Sequence, residues 1–77
     1  MTNKQELLTR ITYNPFQCGG KPCIRGMRIR VSDILEMLAL NVDSSEILAD
    51  FPDLELEDIQ ASLLLASQYT SIPRLTA

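Results

Sequence analysis

Histidine is absent from this 77-residue chain, and with it the usual proton shuttle at neutral pH and a common metal ligand. Long apolar runs are absent too. Stretches such as Leu63-Leu64-Leu65-Ala66 fall far short of a membrane span, and residues 1–6 precede no long apolar segment that would read as a secretory signal. There is no low-complexity tract and no internal repeat. Cysteine is limited to Cys18 and Cys23, whose thiols read as reduced in a cytoplasmic protein. Charge of one sign is scarce in each part of the chain. Residues 1–30 hold six cations against Glu6 alone, a net charge of +5, while residues 31–77 hold nine acids against Arg74 alone, a net charge of −8. That asymmetry points to a charged partner, or to self-association of one end on the other.

What is present is enough for a single domain over 1–77 with a marginal core, of the size that often completes itself by dimerising. Residues 1–8 read as a flexible lead-in or a short frayed helix. Thr9-Arg10-Ile11-Thr12-Tyr13 alternates polar and apolar side chains, a strand signal that Asn14-Pro15 ends. Cys23-Ile24-Arg25 follows a glycine-proline turn, and Met27, Ile29 and Val31 alternate with Arg28 and Arg30. A β-ribbon over 9–31, with one apolar and one basic face, is expected.

From Ser32 the period becomes helical. Ser32 suits an N-cap, Ile34, Leu35, Leu38 and Val42 form a stripe, and Asn41 suits a left-handed stop. Asp43-Ser44-Ser45-Glu46 has capping-box spacing and opens a short helix that Phe51-Pro52 closes. Glu57 and Asp58 fall in the first turn of a longer helix over about 56–69, expected to bury Ile59, Leu63 and Ala66. Residues 32–70 therefore read as a three-helix core of helix-turn-helix type, and 71–77 as a tail.

The stretch Cys18-Gly19-Gly20-Lys21-Pro22-Cys23-Ile24-Arg25-Gly26-Met27-Arg28-Ile29-Arg30 concentrates four cations and three glycines. It is not a phosphate loop, because Pro22 follows the lysine where a hydroxyl is required. Two cysteines without histidine do not close a zinc site within one chain, so neither metal nor cofactor is expected. Nearby cations would lower a thiol pKa and suit a redox role, but small buried apolar residues are the simpler reading of both cysteines. Adjacent acids such as Glu57-Asp58 fit a helix start better than an acid–base dyad, and so small a chain does not wall off a deep pocket. No enzymatic activity is expected.

Lys21, Arg25, Arg28 and Arg30 are the candidate nucleic-acid contacts. The ribbon would carry them into a groove, since Glu55, Glu57 and Asp58 crowd the end of the third core helix that ordinarily meets bases. The opposing reading pairs Arg25 and Arg28 with Asp33, Glu36, Asp50 or Asp53 as architecture and leaves Lys21 and Arg30 in solvent. Leu65 and Tyr69 fall partly outside the main stripe and are the candidate partner or dimer surface.

Ile11-Thr12-Tyr13-Asn14-Pro15, Cys18 to Gly26, Arg28-Ile29-Arg30-Val31, Asp33-Ile34-Leu35-Glu36, Phe51-Pro52-Asp53-Leu54 and Glu57-Asp58-Ile59 together resemble a widespread small bacterial family long labelled a domain of unknown function. Met27 stands where threonine is common in that family and Asn41 where glycine is. The resemblance implies a mainly α fold, with a homeodomain-like core and an N-terminal β-hairpin, and implies dimers. Some members resemble antitoxins encoded beside toxins with a nuclease-like domain. The resulting expectation is an antitoxin-type regulator that is homodimeric, binds a nuclease-like toxin and contacts operator DNA, without a membrane. The alternative is a dimeric protein-interaction module that does not bind DNA and whose arginines are spent in ion pairs.

Overall fold

A computed structural model describes residues 3–71. Arg74 and the expected tail from residue 72 onward lie outside the described residues. The chain is mainly helical, with a small two-stranded antiparallel sheet near its N-terminus. Its elements are α1 (Lys4–Leu8), β1 (Ile11–Thr12), β2 (Cys23–Ile24), α2 (Val31–Ala39), α3 (Ser44–Asp50) and α4 (Leu56–Tyr69), with a single 3-10 turn at Cys18–Gly20.

Of the two readings of the N-terminal segment, a short helix is observed over Lys4–Leu8. The Asn3 side chain accepts from the Glu6 N–H at 2.8 Å, capping α1, which packs against α4. In the sheet Ile11 stands opposite Ile24, and Thr12 opposite Cys23. The third run of the ribbon is shorter than alternation predicts. Arg25 (φ 45°) and Gly26 (φ 72°) both take the left-handed region, and the Met27 N–H donates to the Ile24 carbonyl at 2.7 Å. Those features make a tight turn of the I′ kind, for which glycine at the second central position is suited. Only the Cys23–Arg30 bridge follows it before α2 begins at Val31. Val31 thus becomes the first helical residue rather than the end of a strand, and Arg30, not Ser32, is the N-cap.

The three core helices lie close to where periodicity puts them. Asn41 takes φ 70° just past α2, as expected of a residue that tolerates left-handed backbone. The Asp43 side chain accepts from the Glu46 N–H at 2.9 Å and starts α3. The core draws one isoleucine from each of five elements: Ile11, Ile24, Ile34, Ile47 and Ile59 are all buried, joined by Val31, Leu54, Ala61 and Leu65. Burying each isoleucine contributes about 1.5–3 kcal/mol.

The buried face of α4 is rotated from the expected one. Asp58, Ile59, Ala61, Ser62 and Leu65 point inward, whereas Leu63 is 50% exposed. The rotation follows from Asp58, which is drawn into the interior by cations from the N-terminal segment. Its carbonyl accepts from the Ser62 hydroxyl at 3.0 Å.

Candidate functional site

Asp58 at the start of α4 is the centre of the charged architecture. Its side chain is fully buried. The Arg25 guanidinium grips it in a fork, Nε to Oδ1 at 3.0 Å and Nη2 to Oδ2 at 2.8 Å. Arg10 Nη1 donates to Oδ1 at 3.0 Å, and the Glu55 N–H donates to Oδ2 at 2.8 Å, closing half of a capping box. Arg10 also reaches Glu55 Oε1 at 2.7 Å, and Arg25 Nη2 reaches the Asp53 carbonyl at 2.7 Å. Burial alone pushes the Asp58 carboxyl up, and this is the largest single effect. Arg25, the Glu55 N–H and Arg10 together outweigh it and hold the carboxyl below the usual value. Both arginines are raised in turn, Arg10 by Glu55 and then Asp58, Arg25 by Asp58.

Sequence reasoning offered four acids as partners for Arg25 and Arg28 and left Asp58 out, because a helix-start role had already accounted for it. The spacing of Glu55 and Asp58 was the available local signal. Arg25 is held in an ion pair, with the carboxylate of Asp58 rather than that of Asp33, Glu36, Asp50 or Asp53. Arg30 pairs instead with Asp33, Nε to Oδ2 at 3.2 Å, with both side chains largely in solvent. Lys21 and Arg28 are exposed and have no carboxylate partner among the described residues.

The two candidate partner-surface residues line the same groove but differ in exposure. Leu65 packs into the core and forms the floor of the groove, with little surface of its own. Tyr69 is 63% exposed. It borders a groove of about 180 Å³ between α2 and α4, which Pro22, Leu35 and Ala66 line and Lys21 rims. Tyr13 lies beside it: a hydrogen bond with the Tyr69 side chain, together with partial burial, pushes the Tyr13 phenol up.

The cysteines differ from expectation. Cys18 and Cys23 are joined as a disulfide, not packed as two reduced thiols, although Cys23 is buried as expected. No cluster of three or more histidine, cysteine, aspartate or glutamate side chains fit to hold a metal occurs among the described residues. Among them, too, no helix is long and apolar enough to cross a membrane.

Residues 11–66 match a family model described as "Protein of unknown function (DUF433)". No curated protein and no solved structure matches the chain.

Proposed function

Because this chain belongs to the DUF433 family, whose function is undescribed, we propose its role from its own surface: a non-catalytic regulator of antitoxin type that binds another protein. The observation that carries this reading is the groove between α2 and α4, where Tyr69, Leu35 and Pro22 offer apolar surface to a partner. The same face serves a homodimer, and α2, α3 and α4 are read as its homeodomain-like helix-turn-helix core. An acidic chain, net −3, also suits a basic, nuclease-like partner.

The deciding experiment is co-expression with the protein encoded beside it. A complex that purifies intact and silences that protein's nuclease activity supports the reading. Separate purification with full nuclease activity overturns it. Light scattering on the Tyr69→Arg chain tests the dimer, since the substitution places a cation at the groove rim. A shift from dimer to monomer mass with unchanged circular dichroism is expected.

Operator DNA is a second reading, favoured by Lys21 and Arg28, which have no carboxylate partner among the described residues, and by the weakly held Arg30. Arg25, whose fork is engaged by Asp58, is the least favoured of the four candidate contacts. Fluorescence anisotropy on upstream and random duplexes across a salt series tests it. Upstream DNA bound at least about tenfold more tightly, with affinity falling as salt rises, supports DNA reading. Unchanged affinity in the Arg28→Glu, Arg30→Glu double variant overturns the assignment of those contacts.

A further inference from the structure

Cys18 and Cys23 bracket Gly19-Gly20-Lys21-Pro22, and their Cα atoms lie 6.7 Å apart, within reach of one disulfide. Neither position is held by the sulfurs alone. The Gly20 N–H donates to the Gln17 carbonyl at 2.9 Å and the Lys21 N–H to the Cys18 carbonyl at 3.1 Å. Those bonds close a turn in which Cys18, Gly19 and Gly20 all take positive φ. Cys23 is fixed separately, by pairing with Thr12 on one side and a bridge to Arg30 on the other. The backbone therefore presents the two sulfurs to each other whether or not they are bonded. When unbonded, the Cys23 thiol also has an acceptor, since its sulfur lies 3.4 Å from the Lys21 carbonyl. Both redox states are thus accommodated.

Access is unequal. Cys23 is 1% exposed, while Cys18 is only half-buried, so a reagent from solvent meets Cys18 first. The charge of the segment favours an anionic reagent. Residues 11–32 contain no acid and include Lys21, Arg25, Arg28 and Arg30. Lys21 sits within the loop itself and has no carboxylate partner among the described residues. A cluster of cations of this kind draws in an anionic reagent.

We propose that Cys18 and Cys23 form a thiol–disulfide exchange site that takes a small anionic disulfide of the glutathione type. In the oxidising direction the Cys18 thiolate attacks one sulfur of that disulfide, breaking its S–S bond and releasing one thiolate. The Cys23 thiolate then attacks Cys18 Sγ, forming the intramolecular bond and releasing the second. The two protons lost by the protein thiols end on the two released thiols. The protein is oxidised by two electrons and the small disulfide is reduced by two. The reverse sequence restores the dithiol. Closing the bond ties the Gly-Gly-Lys-Pro loop, and Lys21 with it, to β2.

The test equilibrates the full chain with glutathione at a series of reduced-to-oxidised ratios, quenches with acid, labels free thiols in denaturant and weighs the intact protein. The expected result is one transition from two labelled thiols to none at monomer mass, with no accumulating glutathione adduct. The Cys23→Ser chain is expected to stop at a stable adduct on Cys18, and the Cys18→Ser chain to remain unmodified. Two labelled thiols in excess oxidised glutathione overturn the proposal, as do adducts or interchain disulfides alone in the wild-type chain. Glutathione on Cys23 of the Cys18→Ser chain overturns the order of attack. The wild-type result stands whether or not either variant folds.

Discussion

At Asp58 a carboxylate with no exposed surface remains charged because two arginines and a backbone N–H reach it. Asp58→Asn keeps the Glu55 cap but strips Arg10 and Arg25 of their shared counter-charge. Removing one partner of a buried pair costs about 3–5 kcal/mol, and the partial solvation of both arginines puts this case near the lower end. A 77-residue domain has about 4–12 kcal/mol of stability in total, so the urea midpoint should drop by a large fraction. A midpoint within error of wild type would show that the network is not structural. The same group sets an acid limb. Its folded pKa lies below the unfolded value of about 3.9, so its contribution is complete above that value and lost as pH falls through the folded one. Asp43, lowered by the Ser45 hydroxyl and the Glu46 N–H, titrates in the same sense. Stability measured from pH 6 downward should therefore fall less steeply in Asp58→Asn, keeping only the Asp43 share. Equal slopes in the two chains would contradict this. Little of the Asp58 site was legible beforehand. Its contacts join residues 33 and 48 positions apart, and a local helix-start role explained the acid without them.

The helices were read more fully than the ribbon, and the difference is physical. Helix ends are marked by local chemistry: Asp43 caps α3, Asn41 turns the chain after α2, and α4 runs from Leu56 to Tyr69 as the pattern predicts. The ribbon depended on pairing, which alternation does not encode. Met27, Ile29 and Val31 alternate as a strand would, yet the Arg25-Gly26 turn leaves room for only one bridge before α2. Helical rotation was equally hidden, because Leu63 and Leu65 are chemically alike and the buried face that includes Leu65 also carries Asp58 and Ser62, which an apolar pattern passes over. Asn41 supplies a test at this scale. With φ 70°, Asn41→Ala places an ordinary Cβ in the left-handed region, at a cost of about 1–2 kcal/mol. Asn41→Gly removes that conflict and should match or exceed wild type. Thermal unfolding of the three chains should rank glycine and asparagine above alanine. Alanine equal to asparagine would mean that the end of α2 relaxes out of the left-handed conformation.

Across the whole molecule, the charge asymmetry of the sequence is partly consumed in folding. The basic N-terminal segment lies against the acidic start of α4, with Arg10 on Glu55 and Asp58, and Arg25 on Asp58. One end does associate with the other, within a single chain. The consequence is a stability that salt scarcely touches. Mobile ions screen exposed charges, with a Debye length of about 3 Å at 1 M, but they penetrate poorly to a fully buried carboxylate. Among the described residues the pairs open to screening are Arg30–Asp33, whose members are 44% and 47% exposed, and Arg10–Glu55, whose carboxylate is 57% exposed, each worth about 0–1 kcal/mol. Raising sodium chloride from low concentration to about 1 M should thus change the unfolding free energy by less than about 2 kcal/mol. In the Asp58→Asn chain the two arginines repel without a shared anion, so added salt should raise its stability instead. Little change in the wild type beside a rise in the variant, followed by urea titration at each salt concentration, is the expected signature. A wild-type chain that loses several kcal/mol in salt would place its stabilising charges at the surface and remove Asp58 from the centre of the fold.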